Sequence, residues 1–191
     1  QVAGRWLGVW AWAPLELVYW TMLALLIMWG GGVAAIRRWL GKPKGGWGWS
    51  LLSVVIGFIP VWLLLQNWQL LASLWGWLPW LLVALINPWL EEGYWRGLLL
   101  DLTKSWAAWA SVLYTSLLFA LSHPLMWGVH SLANRDPAVV VSTLLMGVCW
   151  AVTYRRTGSL RWVIFAHMLV DLFNISVATF LNLYIPPTMS R

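Results

Sequence analysis

The sequence predicts an all-α fold, a polytopic transmembrane helix bundle of about six spans, from three observations. Hydrophobic residues make up 61% of the chain and charged residues 9%, with a mean hydropathy of +0.73. Soluble domains carry about 25% charged residues, so a water-soluble globule is excluded. Apolar runs of helical length recur along all 191 residues. A span takes about 20 residues, which leaves room for about five to seven in one integral-membrane domain, 1–191. Lastly, many of the twenty tryptophans flank these runs (Trp6, Trp10, Trp12, Trp47, Trp49, Trp75, Trp77, Trp80, Trp106, Trp162), where the indole favours the membrane interface.

The first span is expected over Leu15–Ile36, with Glu16 at its edge and Gly30-Gly31-Gly32 permitting a close helix approach or a break. A loop with four basic residues (Arg37, Arg38, Lys42, Lys44) follows. The second span, Trp49–Leu65, carries Pro60 as an expected kink. The third apolar stretch runs from Leu74 to Leu100 and exceeds a simple span. Tilt, a break at Pro88, or a span followed by an interfacial helix each accommodate it. Asp101 and Lys104 close it. The fourth span is expected over Trp106–Leu121, running into Ser122-His123-Pro124, and residues up to Pro137 read as a loop. The fifth covers Ala138–Tyr154 and the sixth Trp162–Leu183, with Pro186-Pro187 ending it.

The net charge of +6 is not a nucleic-acid signal, because the basic residues are scattered between apolar runs instead of lining a face. With six spans, Arg37, Arg38, Lys42, Lys44, Lys104, Arg155, Arg156 and Arg161 fall on one side, and Arg5, Arg135 and Arg191 on the other. The positive-inside rule then makes the first group cytoplasmic and both termini external. Ala11-Trp12-Ala13 resembles a cleavage site, but the apolar region before it is short and lacks a basic start, so no cleavable signal peptide is expected. The single cysteine, Cys149, lies in an apolar run and is expected to serve packing.

Within this apolar background three polar sites stand out. Glu91 and Glu92 lie between Leu78-Pro79-Trp80-Leu81-Leu82 and Leu98-Leu99-Leu100. Ionisable groups at membrane depth are costly, by about 2.5–3.5 kcal/mol on insertion scales, and usually face partners or water. Adjacent helical residues point about 100° apart, so the two glutamates cannot share one partner. Arg96, four residues after Glu92, lies on its face and neutralises it, leaving Glu91 as the working carboxylate. His123 follows Phe119 by one helical turn, and Asp171 follows His167 by another. Three such sites on three helices are best explained by helices that meet around one polar cavity.

Together these residues resemble the CAAX-protease and bacteriocin-processing family (CPBP or Abi), which includes intramembrane glutamic endopeptidases. Its Glu-Glu-x-x-x-Arg motif is matched by Glu91-Glu92-Gly93-Tyr94-Trp95-Arg96, followed by Gly97. Its Phe-x-x-x-His motif is matched by Phe119 to His123, and His-x-x-x-Asn or Asp by His167 to Asp171. Order and spacing agree over about Leu78–Asn174, the motif-bearing core. The resemblance implies that Glu91, with His123, activates a water that attacks a peptide carbonyl. It further implies that His167 and Asp171 stabilise the oxyanion, and that Glu92, Arg96 and Phe119 support the site. An ionised Asp171 only accepts hydrogen bonds. It is therefore expected to orient His167 and keep it protonated, the alternative being a protonated Asp171.

The expected activity is thus a metal-independent intramembrane endopeptidase, acting on a peptide or protein substrate at the membrane. Two alternatives stay open. Zinc held by Glu91, His123 and His167 would make a metalloprotease, although the His-Glu-x-x-His signature is absent. A non-enzymatic subunit would use the polar cluster only to hold the bundle, and bind a larger membrane complex, lipid or pigment through its tryptophan-rich helices. A transporter is disfavoured because no inverted repeat of broken helices is found.

Overall fold

The computed structural model describes residues 6–71 and 74–189; Arg5, Arg191 and the Trp75 side chain lie outside the described residues. Among these every regular element is a helix, and there is no strand. Helix α1 (Trp12–Gly30) ends at the three glycines. Gly32, at φ 66°, takes the left-handed conformation there and turns the chain into the amphipathic α2 (Gly32–Trp39). The first expected span is therefore two helices. Pro60, which has no N–H to donate, separates α3 (Trp47–Phe58) from α4 (Val61–Asn67).

Helix α5 (Leu74–Glu92) continues through both Pro79 and Pro88, so Pro88 does not break the long third stretch. The irregularity comes directly after Glu92, where Gly93–Leu98 forms a π-helical segment before the short α6 (Leu99–Leu102). Helix α7 (Ala108–Leu125) extends past its expected end and keeps His123 within the helix. Helix α8 (Pro137–Thr157) is sharply delimited. Asp136 accepts the Ala138 N–H at 2.8 Å, Pro137 opens the first turn, and Gly158 at φ 66° closes the last. Helix α9 (Arg161–Phe173) stops early. Ile175, at φ 52°, redirects the chain into α10 (Ser176–Phe180), so the sixth expected span is also broken. A β-branched residue in that conformation is strained, and here it is buried beside Leu71 and Ala178.

Among the described residues, four segments are long and apolar enough to cross a membrane: Gly8–Gly30, Trp47–Leu71, Ala108–Val129 and Pro137–Thr157. The other two of the expected six are α5 with its π extension and α9, which carry the first and third motifs, while α7, among the four, carries the second. With their apolar exteriors, these helices make the chain an integral membrane protein. Trp6, Trp47 and Trp106 are exposed, as belt residues are, whereas Trp12 is buried and stacks on Phe180 at 5.1 Å. Cys149 packs in a buried cluster with Trp150, Val163, Ala166 and Val170.

Lipid tails are as apolar as the side chains, so helices associate here through close packing and hydrogen bonds. Helices α3 and α9 approach so closely that a Cβ on Gly57 would lie 2.6 Å from the Ala166 carbonyl oxygen, one residue before His167. Ser53 and Thr153 hydroxyls pair at 2.8 Å between α3 and α8. Asp101 gathers three further side chains: Arg38 donates at 2.5 Å, and the Trp39 indole and Tyr154 hydroxyl at 2.9 Å each. The exposed Arg38 guanidinium is held above its ordinary pKa chiefly by that hydrogen bond. The two basic loops share this end. Lys44 N–H donates to the Thr157 carbonyl and Leu160 N–H to that of Trp39, both at 2.8 Å, and the Ser159 hydroxyl donates to Gly41 at 2.7 Å.

The α3–α9 crossing gives a direct test. Gly57→Ala should destabilise the protein by about 1–3 kcal/mol through overpacking. Thermal unfolding in detergent would read this as a lowered midpoint, and an unaltered midpoint would contradict so close an approach.

Candidate active site

Glu91 and Glu92 end α5, and the next residues belong to the π segment. π-Bulges occur frequently at functional sites. Glu92 and Arg96 are both fully buried, and one carboxylate oxygen, Glu92 Oε1, accepts from Arg96 Nη1 at 2.8 Å and from His167 Nδ1 at 2.7 Å. The guanidinium rests on the Phe119 ring, its Cζ 4.0 Å from the centroid, with the Trp150 ring at 5.4 Å. Gly147 leaves space for it: a Cβ there would stand 3.1 Å from Arg96 Nη2. Phe119 also meets His123 edge-on at 5.1 Å and His167 at 6.1 Å. That one ring touches a cation and two imidazoles accounts physically for an aromatic one turn before His123.

His167 is the centre of the arrangement. Trp150 stacks on its ring at 5.0 Å. Its Nδ1 is committed to Glu92, and its Nε2 lies 3.6 Å from both Glu91 Oε2 and Asp171 Oδ1. The hydrogen bond that orients the ring thus comes from Glu92, with Asp171 only at ion-pair distance. The Tyr19 hydroxyl donates to Glu91 Oε1 at 2.7 Å, so both oxygens of that carboxylate are positioned.

His123 Nδ1 is 3.0 Å from the Phe119 carbonyl oxygen. A carbonyl can only accept, so Nδ1 carries the proton and the neutral ring keeps an acceptor at Nε2. Asn87 is fixed in the same way. The Trp20 indole, a donor only, reaches Asn87 Oδ1 at 3.0 Å, and Asn87 Nδ2 then donates to Asp171 Oδ2 at 3.3 Å. This sets which way the amide faces.

A cavity of about 550 Å³ brings together Glu91, His123, His167 and Asp171, with Asn87 and Glu16 also in its wall. That volume lies in the range of small-molecule and peptide side-chain pockets, about 300–1,000 Å³. Phe119 also lines it, whereas Glu92 and Arg96 sit behind its wall. Among the described residues, no group of three His, Cys, Asp or Glu is disposed to hold a metal ion, the set Glu91, His123 and His167 included.

A family model described as type II CAAX prenyl endopeptidase Rce1-like matches residues 73–173. The chain belongs to this family. It is the family that the three motifs resemble, and its activity class supports a CAAX-type protease with a membrane-associated peptide substrate. No curated protein and no solved structure matches the chain. The Rce1-like match contains every motif residue but excludes α1, which contributes Glu16, Tyr19 and Trp20 to the site.

Tyr19, Trp20 and Asn87 are missing from the sequence reading, and Glu16, expected only at the edge of the first span, is buried in the cavity wall. A signal existed for each. Asn87 precedes Glu91 by four residues, and Glu16, Tyr19 and Trp20 are spaced i, i+3, i+4, so each set lies on one helix face.

The buried pair predicts a stability effect independent of activity. Arg96→Met leaves the Glu92 carboxylate without its guanidinium, and loss of one partner of a buried pair costs about 3–5 kcal/mol. Denaturation of the variant in detergent should show a loss of that size; a shift below about 1 kcal/mol would mean that His167 alone suffices.

Proposed function

We propose that this protein is a glutamic-type intramembrane endopeptidase whose own side chains activate water, without a metal. The observation that carries the reading is the convergence of Glu91, His123, His167 and Asp171, from three separate helices, on one cavity. Glu91 is the general base, and its carboxylate is held by Tyr19 and faces His167 Nε2. His123, with Nε2 as acceptor, aligns the water beside it. The water oxygen bonds to the peptide carbonyl carbon while its proton passes to Glu91 and the carbonyl electrons move onto oxygen. The C–N bond then breaks, and the departing nitrogen takes the proton that Glu91 received.

The developing oxyanion needs donors, and Asp171, which accepts from Asn87 Nδ2, is not one. Asn87 supplies the missing amide: one Nδ2 hydrogen goes to Asp171 and the other is free for the oxyanion. His167, as an imidazolium donating to Glu92 through Nδ1, offers its second hydrogen from Nε2. In this reading Asp171 aligns Asn87 as well as standing beside His167. The basic end, where Arg38, Lys44 and Arg161 gather, faces the cytoplasm by the positive-inside rule.

Purified protein in bilayer discs, presented with a fluorogenic peptide library, prenylated and unprenylated, should cleave some members. Glu91→Gln should reduce cleavage to background; turnover undiminished in that variant would end the assignment. Asn87→Ala should lower kcat by about 10²–10³-fold, the usual effect of removing one oxyanion donor, with KM little changed. A loss confined to KM would instead make Asn87 a ground-state binding residue.

A further inference from the structure

The cavity holds more acidic groups than the proposed hydrolysis uses. Four carboxyl side chains line it, Glu16, Glu91, Asp136 and Asp171, together with His123 and His167 and with neither lysine nor arginine. Three of the four are engaged. Glu91 accepts from Tyr19, Asp171 from Asn87, and Asp136 from the Ala138 N–H and the Thr188 hydroxyl. Glu16 is engaged on one side only. It is 4% exposed with the Trp20 indole beside it as a hydrogen-bond donor, while its Oε2 is buried without accepting any hydrogen bond. A buried carboxylate oxygen left in that condition is unfavourable, so the site is completed by a donor from outside the chain.

Among the described residues, no lysine or arginine lines the cavity to take the role. Arg96 lies behind the cavity wall and is bonded to Glu92. Glu16 also has a defined position, one turn before Tyr19 and Trp20 on the same face of α1, and those two hold Glu91 and Asn87. Apolar residues of the same wall, among them Ile56, Ile59 and Leu63, suit the methylene stem of a long basic side chain.

We infer that Glu16 is the counter-ion of a substrate subsite, and that the cavity accepts a peptide carrying a lysine or arginine side chain beside the bond to be cut. This deepens the endopeptidase reading and rests on it for the meaning of "substrate". The same wall offers no lysine or arginine to a free C-terminal carboxylate, so the charge preference runs toward cationic segments.

The test is a binding series with the full chain carrying Glu91→Gln, in discs of uncharged lipid. Fluorescent peptides of one sequence carry lysine, norleucine or glutamate at a single position, scanned along the peptide. At one position the lysine peptide should bind at least about tenfold more tightly than the norleucine peptide, and the glutamate peptide more weakly than either. Adding Glu16→Gln should abolish the difference. Equal affinities throughout, tighter binding of the glutamate peptide, or a lysine preference that survives Glu16→Gln would each overturn the inference. The net charge of +6 makes the readout stringent, because non-specific attraction would favour the glutamate peptide. Should Glu16→Gln fail to fold, Glu16→Asp takes its place: drawing the carboxylate back by one methylene should reduce the lysine preference, and an unchanged preference would overturn the inference. Cleavage by the wild type is scored separately. A lysine preference without cleavage removes the hydrolase reading and keeps the subsite, and cleavage without a preference does the reverse.

Discussion

One oxygen atom, Glu92 Oε1, accepts from a guanidinium on the π segment and from an imidazole on α9, and the rest of the site depends on that double contact. A buried carboxylate is tolerable only when paired and hydrogen-bonded, and in hydrocarbon there is no water to take over if a partner is lost. Glu92 therefore binds α5 to α9 more specifically than apolar contact could. The consequence passes outward. With Nδ1 fixed by Glu92, the imidazole presents Nε2 to Glu91 and Asp171, and with Arg96 fixed the Phe119 ring has a platform. The two neighbouring carboxylates thus do share a partner, contrary to the expectation from helical spacing: Glu92 takes Nδ1 of His167 and Glu91 lies 3.6 Å from Nε2, because the imidazole reaches between them with a nitrogen on either side.

The backbone after Glu92 makes this possible. Gly93 and Gly97 stand at either end of the irregular turn, where Cβ atoms would meet the Ile27 side chain at 3.0 Å and the Trp39 ring at 2.9 Å. Helices α1 and α2 can thus lie directly against the segment that carries Arg96. Helix α2 is also tied to α6 and α8 through Asp101, so the turn is gripped from its polar end as well as from its side.

Much of this was legible in the primary structure, and the reasons differ by residue. Glu91, Glu92, Arg96, His123, His167 and Asp171 are conspicuous because ionisable groups among leucines need an explanation. The breaks at Gly31-Gly32 and Pro60 were legible because those residues are poor at continuing a helix. The break at Ile175 was not, since nothing about isoleucine announces a left-handed backbone. Nor were the Tyr19–Glu91 and Asn87–Asp171 contacts, which join residues 72 and 84 positions apart. Tyrosine and asparagine carry no charge, so neither stands out in an apolar run. Asp171 was expected to orient His167 because an ionised carboxylate only accepts hydrogen bonds; it does lie 3.6 Å from Nε2, and the 2.7 Å contact of Glu92 at Nδ1, from another helix, was not legible. Pro88 showed the converse, a residue with a strong local preference overruled by its surroundings.

Helix α1 lies outside the stretch by which the family is recognised, yet its hydroxyl and indole anchor two of the groups at the reaction centre. The half of the polypeptide that the family model matches is consequently not a portable module. Severed from its leading helix, it would keep every signature residue and lose the scaffolding that aims them. Grafting that half onto a foreign anchor would yield a protein with the right letters and a slack, misaligned centre.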